Sequence, residues 1–394
     1  MKTSTSKRLR WNVAIWLAAG LFMTSTAGMA SGPILPDPKA EARHHPQIEE
    51  TANGIPLVNI TAPSSGGVSR NEYEMFNVPD KGAILNNSYT LSKTELAGYV
   101  PGNNNMAERP AKIIVNEVTG TGSTSMDGFL EVAGNRADVV IANPNGITVN
   151  GGGFINTGKA FLTTGKPVYD GEDHLQRFDI TGGDILIEGK GLGGKETESL
   201  AILSRAVKIN AGIWAEDLHI TTGANTVDAK TLEASAIEGK GGRPAFALDT
   251  AAIGGMYAGR ITLVGTEKGL GVNNSGTWSA EDNLTLDWNG DLKNSGTIYS
   301  KGNTDLRASR LENDKTIAAE RNLSAAAKEN IRNQGKLLAG ENMGIYAGKT
   351  LDNAGHAMES GNNLSIETGD AINNAAGTIK SGGSQQIKAG HTLT

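Results

Sequence analysis

Two stretches of this chain spell the skeleton of a phosphate-binding loop, G-x-x-x-x-G-K, at Gly153–Lys159 and again at Gly189–Lys195. Such a loop cradles phosphate with backbone N–H groups, needs a following Ser or Thr for Mg²⁺, and opens a helix. Here Ala160 and Glu196 follow the lysines, and both copies sit among β-rich runs, so they read as glycine turns. His44 and His45, with Glu41, Glu49 and Glu50 nearby, have the residue types of a metal site. Their spacing matches no ligand pattern, and the Pro-rich polar segment 31–55 around them reads as a solvated, extended arm. Glu172-Asp173-His174 offers acid–base groups, but its Gly/Asp/Pro-rich surroundings make a surface turn the expectation. There is no G-x-S-x-G nucleophile elbow. There is also no cysteine, which rules out thiolate metal sites and disulfides. The chain is therefore expected to be no enzyme and to need no cofactor or metal.

The elements that would position any chemistry are short strands separated by turns. Of 394 residues, 52 are Gly, 38% are hydrophobic and only 5% are aromatic, which fits a thin aliphatic core with many corners. A net charge of −6 provides no basic field for nucleic acid. Lys2, Lys7, Arg8 and Arg10 precede an apolar run from Trp11 to Met23, and Gly28-Met29-Ala30 follows. This predicts a signal peptide over 1–30, cleaved between Ala30 and Ser31. The apolar run is shorter than the ~20 residues that span a bilayer. No other segment approaches a span, so the mature chain is expected to lack a transmembrane segment and to be extracytoplasmic.

Within 111–165, Ile113, Val115 and Val118 predict one strand, and Val139, Val140 and Ile141 another. After the second comes Asn143-Pro144-Asn145-Gly146-Ile147, and Ile147-Thr148-Val149 resumes β-structure. Asn143 precedes proline and is pushed into an extended conformation. Pro144 presets φ for the second turn position, Asn145 tolerates the third, and Gly146 can take φ > 0. The sequence thus reads as a tight corner between two strands. Further strands are expected in FDITGGDILIEG, AILSRAVKIN, GIWAEDLHITTG and GRITLVG.

From residue 272 the chain repeats. Asn274, Asn294, Asn313, Asn333, Asn353 and Asn374 recur at intervals of 20, 19, 20, 20 and 21. Asn283, Asn303, Asn322, Asn342 and Asn363 recur at 20, 19, 20 and 21. Two aliphatic series keep the same clock: Leu292, Leu311, Ile331, Leu351, Ile372, and Leu286, Leu306, Ala325, Ile345, Ile366, Ile387. A fixed period near 20 with β-alternation means a solenoid, and the leucine-rich-repeat consensus is absent. An all-β fold, a right-handed parallel β-helix with an N-terminal capping segment, is predicted, each turn adding a rung of ~4.8 Å. Turn asparagines can stack into ladders whose side-chain amides bond neighbouring rungs, and they tolerate left-handed corners. Leu323–Arg332, the best helical candidate, falls inside a repeat and is read as strand.

Asn116-Glu117-Val118, Gly128-Phe129-Leu130-Glu131-Val132, Arg136-Ala137-Asp138 and Asn143–Ile147 occur in that order within one stretch. In these segments the chain resembles the N-terminal secretion domain of two-partner-secretion exoproteins, the filamentous-haemagglutinin, haemolysin and contact-dependent-inhibition group. The 20-residue lines resemble the haemagglutinin repeats that follow that domain. The resemblance implies a secretion domain over 31–265 and about six repeats over 266–394, open at the C-terminus. It implies a partner, a dedicated outer-membrane transporter whose POTRA domains read the domain in the periplasm after Sec export. The chain would cross unfolded, fold outside on its N-terminal domain, and be secreted or held at the cell surface. Adhesion, haemolysis or growth inhibition, with host-cell or bacterial surface receptors, would be encoded downstream. Matching the family motif, Asn116, Asn143, Pro144, Asn145, Gly146 and Ile147 are the candidate residues, serving recognition or the turn geometry that recognition needs. A β-helical polysaccharide lyase is the alternative, but it needs acidic residues clustered for Ca²⁺, and here they are scattered among turns. An autotransporter passenger would need a C-terminal barrel of ~10-residue alternating strands, which is not seen here.

Overall fold

The computed structural model describes residues 33–106 and 109–394; the signal peptide predicted over 1–30 and its Ala30/Ser31 junction lie outside the described residues. Each turn of the chain lays one strand on each of three parallel sheets. The first face runs from Pro56–Asn59 through Ala83–Asn87, Phe129–Gly134 and Gly152–Ile155 to Thr378–Ser381. The second runs from Val68–Phe76 through Ile113–Val118, Ala137–Ala142 and Thr157–Thr163 to Gln385–Ala389. The third is a 12-stranded sheet from Thr124–Met126 through Ile147–Val149 to Thr392–Leu393.

Strand alternation sends every second residue inward, and the period places equivalent residues on successive rungs. Leu286, Leu306, Ala325, Ile345, Ile366 and Ile387 are direct register partners on the second face. Leu292, Leu311, Ile331, Leu351 and Ile372 are partners on the third. Both columns belong to one hydrophobic core that extends from Ile34 to Ile372, so the parallel β-solenoid is the fold that the repeat predicts. Leu323–Ala327 and Ile331–Asn333 are strands, as their place in the repeat requires.

The N-terminal arm is not a solvated tail. Gln47–Glu50 pairs antiparallel with Pro56–Asn59, and Ile34–Pro36 pairs antiparallel with Val68–Phe76. These two strands cover the leading edges of two faces, where unpaired backbone would otherwise be exposed. His44 is buried, with Nδ1 3.1 Å from a Glu72 carboxylate oxygen.

A second feature departs from simple stacking. Lys166–Tyr169, Leu175–Ile180, Asn225–Asp228 and Ala234–Ala236 form an antiparallel sheet outside the helix. Its Phe178, Ile180 and Val227 cover the outward residues Val115, Val140, Phe161 and Ala201 of the second face. The run FDITGGDILIEG is therefore divided: its first half joins this outer sheet, and Asp184–Ile187 joins the third face.

The predicted asparagine ladder is present. Each side-chain amide of Asn274, Asn294, Asn313, Asn333 and Asn353 donates to Oδ1 of the next, at 2.8, 2.8, 2.8, 2.6 and 2.7 Å. These asparagines do not occupy left-handed corners. Positive φ at non-glycine residues falls on Asn156, Asp173, Leu232 and Ala376. The ladder corners close instead by side-chain turns, with Asn274 Oδ1 accepting the Gly276 N–H at 3.1 Å. The rungs approach so closely there that a Cβ on Gly296 would lie 2.1 Å from the Gly276 carbonyl oxygen. Among the described residues no helix is long and apolar enough to cross a membrane.

Candidate functional site

Asn143 to Ile147 form the corner between the second face and the third. The Gly146 N–H donates to the Asn143 carbonyl at 3.1 Å, closing a β-turn with Pro144 and Asn145 at its centre. Asn143 Oδ1 accepts both the Asn145 backbone N–H and its side-chain amide, each at 2.9 Å. Gly146 has φ +112°, and a Cβ there would meet the Asp184 carbonyl at 3.1 Å. This is the conformation that favours glycine. Ile147 turns inward and pairs with Thr124 on one side and Ile185 on the other.

The corner is bolted to the rung before it. Asn143 Nδ2 donates to the Gly122 carbonyl at 2.9 Å and to Thr124 Oγ1 at 3.0 Å. Asn145 Nδ2 donates to the Gly120 carbonyl at 2.9 Å. In return the Thr124 N–H donates to the Gly146 carbonyl at 3.0 Å. Asn143 is fully buried, and of the five residues only Pro144 and Asn145 face solvent.

Asn116 lies on that preceding rung, in register with Ile141. It points into the core, fully buried. Its Nδ2 donates to the Val140 carbonyl at 3.2 Å, and its Oδ1 accepts the Tyr73 hydroxyl at 3.0 Å. Tyr73 is itself buried against Phe76, their ring centroids 4.8 Å apart, and burial pushes its hydroxyl well above the usual phenol pKa. Glu117 points the other way, into an ionic cluster. Arg70 Nη2 is 2.8 Å from Glu72 and 3.3 Å from Glu117, and its guanidinium lies 4.5 Å above the Tyr169 ring centroid. Burial raises the Glu117 pKa against the pull of Arg70, and burial followed by Arg70 lowers that of His44. The cluster ties the capping arm, a second-face strand and the outer sheet together.

The other motif segments do similar work one rung along. Glu131 accepts the N–H groups of Glu95 and Leu96 at 2.7 and 2.9 Å, holding a surface hairpin. Asp138 accepts the Lys159 N–H at 2.7 Å. Sequence reasoning did not single out Tyr73, Gly120, Gly122 or Thr124 as partners of the motif. Beside the corner, a groove of about 570 Å³ is lined by Asn145, Gly146, Asp184, Arg205 and Lys240 among others. Arg205 is spent structurally, paired with both oxygens of Glu267 at 3.0 Å and with the Lys240 carbonyl at 2.7 Å.

The remaining candidates are structural elements. The first G-x-x-x-x-G-K lies in Gly152–Ile155 and Thr157–Thr163, both strands, and no helix follows either copy. Asp173 sits in a turn with φ +58° and pairs with Arg43 at 2.5 Å. Among the described residues no group of three or more His, Cys, Asp or Glu is placed to hold a metal ion.

Comparison with known proteins agrees with this geometry. The family described as TPS secretion domain matches residues 33–299, and the haemagglutinin repeat matches 299–355 and 342–394. Toxin CdiA of Yersinia pestis is 41% identical over 298 residues, covering 70% of this chain and 9% of that protein. The 16S rRNA endonuclease CdiA of Enterobacter cloacae is 38% identical over 354 residues, covering 82% of this chain and 10% of that protein. This chain thus spans about a tenth of the length of the curated relatives it matches. The crystal structure of a filamentous hemagglutinin secretion domain superposes with a TM-score of 0.56 at 26% identity, covering 90% of this chain and 99% of that one.

Proposed function

Because this chain belongs to the family of TPS secretion domains and continues into haemagglutinin repeats, we propose that it is the export module at the front of a long CdiA-like exoprotein. The partner is a dedicated outer-membrane transporter. Its POTRA domains read the chain in the periplasm after Sec export and cleavage between Ala30 and Ser31. The chain crosses unfolded, folds outside from its capped end, and is secreted or displayed at the surface. The observation that carries this reading is the burial of Asn116 and Asn143. Neither can touch a partner in the folded domain, whereas both are open in an extended chain. A transporter that pairs an extended segment with a sheet edge reads such residues before they are buried. The same side chains then join adjacent rungs, so recognition and folding use them in succession.

This segment carries no catalytic role of its own. The nuclease activities in relatives' names belong to those proteins, whose remaining length is not represented here. Contact with host-cell or bacterial surface receptors falls to the downstream part. The lyase alternative is not favoured, since the matching family is a secretion domain.

The test is a blot of culture medium against periplasm, with and without the transporter. Residues 31–265 should suffice for release. Asn143→Ala with Asn145→Ala and Gly146→Val should hold the chain in the periplasm. Release of the wild type without a partner barrel would refute the reading, and normal release of the triple variant would remove this corner from the recognised segment.

A further inference from the structure

The outer side of the first face carries a column of aromatic side chains. In register it runs Phe129, Gly153, Gly193, Trp214, Tyr257, Ser279, Tyr299. Phe129, Trp214 and Tyr257 are 43%, 37% and 39% exposed. Trp214 and Tyr257 stack, with centroids 6.2 Å apart and planes within 17°. The rings lie against the sheet because the residues beside them are glycine. A Cβ on Gly153 would come 2.4 Å from the Phe129 ring, one on Gly212 2.5 Å from the Trp214 indole, and one on Gly255 2.8 Å from the Tyr257 hydroxyl. Any other residue there would lift the rings. An exposed stacked pair with further aromatic rings on the same column is unusual on a solvent-facing sheet, and it marks a contact site.

The chemistry around the rings selects the partner. Glu216 follows Trp214 by two residues and so faces the same way. Glu320 takes the Tyr299 hydroxyl on the next rung. Between them, Arg260 and Lys301 are paired with Asp217 and Glu281. Lys195, exposed two residues after Gly193 and in register beside Glu216, adds one cation, so the flank presents two carboxylates and a single positive charge, which suits a neutral partner rich in hydroxyl groups over a polyanion such as a sulfated or uronic polymer. Flat rings offer their π faces to the C–H faces of pyranoses. Rungs of ~4.8 Å place Phe129 about 14 Å from Trp214 and Tyr257 about 10 Å from Tyr299, which are lengths of a few sugar units. We infer that the outer first face from Phe129 to Tyr299 is a binding platform for an extended neutral glycan with flat, equatorially substituted sugars, lying along the rod axis. This inference does not depend on how the chain is exported.

The test titrates the exported chain with cellohexaose, read by calorimetry and by tryptophan emission. Trp278 and Trp288 are buried, so a change in emission reports Trp214. Saturable binding is expected, weakened about tenfold by Trp214→Ala and by Tyr257→Ala, with circular dichroism and melting unchanged. Tyr257→Ala serves alone if Trp214→Ala folds poorly. Glu216→Gln should weaken binding severalfold. Absence of binding at millimolar cellohexaose, unchanged binding in the double aromatic variant, or tighter binding of heparin would each overturn the inference. So would a dimer that Trp214→Ala dissociates, since that would assign the face to a second copy.

Discussion

The first two-thirds of the rod and its last third bury the same kind of core by different means. In the first part the polar locks differ from rung to rung. Asn116 meets Tyr73 across 43 residues, Asn143 meets Gly122 across 21, and Arg205 meets Glu267 across 62. In the repeats one device recurs, with each ladder asparagine bonded to its equivalent 19 to 21 residues on. The difference concerns cooperativity. Repeats in contact only with their neighbours behave as a one-dimensional array whose stability is a sum of local terms. The first part joins cap, rungs and outer sheet through shared clusters, so its elements should be lost together.

The sharpest way to break this comparison is one substitution in both regions. Ile141→Asp and Ile345→Asp each bury an unpaired charge in the core, at about 4 kcal/mol or more. Hydrogen exchange should show Ile141→Asp opening the whole first part, and Ile345→Asp opening only its own rung and those near it. Equal spread of the damage would erase the distinction.

A smaller contrast lies between asparagines. Asn116→Ala strands the Tyr73 hydroxyl inside the core, at about 3 kcal/mol. Asn333→Ala should cost less, nearer ~2 kcal/mol, because it removes the donor to Asn353 Oδ1 but spares the amide on its other side. Asn313 still donates to the Lys315 and Lys336 carbonyls at 3.3 and 3.1 Å. Urea unfolding of the two variants checks the order.

His219 provides a pH test. Burial lowers its pKa from 6.5 to about 4. The fold therefore holds it neutral, while the unfolded chain takes up a proton as pH falls below 6.5. Stability should be full above that pH and should decline toward pH 4 by about 3 kcal/mol, then level off. His219→Gln, which can keep the bond to Thr221 Oγ1 (2.9 Å in the wild type), should flatten that decline. An unchanged acid profile would show that His219 is not the group responsible.

The smallest effect expected is that of Lys349→Glu. Lys349 is exposed and pairs with Glu329 at 3.3 Å across one rung. Its loss should change melting by no more than ~0.5 kcal/mol of stability. A larger change would mean that surface pairs between repeats matter more than the core columns.

Legibility in the sequence followed the same division. The repeats could be read residue by residue, because a solenoid places residues 20 apart in direct contact and sequence spacing becomes spatial register. The corner at Asn143–Ile147 was legible as a turn for a similar reason: Pro144 and Gly146 restrict the backbone locally. Its bonds to Gly120, Gly122 and Thr124 were not, since nothing in the local pattern says which segment lies on the neighbouring rung. The polar arm around His44 read as solvated because a cap strand needs little apolar surface of its own; it takes its backbone partners from sheet edges that folding supplies.

The sequence by itself determined the periodic part of this protein: parallel strands, which aliphatics turn inward, and the asparagine ladder. Local chemistry and a constant repeat suffice for these. Tertiary structure alone decided that Lys166–Tyr169 and Leu175–Ile180 leave the stack to meet Asn225–Asp228. It also decided that Asn116 and Asn143 end buried, and that Phe129, Trp214 and Tyr257 fall in one exposed column. These depend on irregular spacings of 20 to 60 residues between rungs, and such spacings acquire meaning only once the chain has wound.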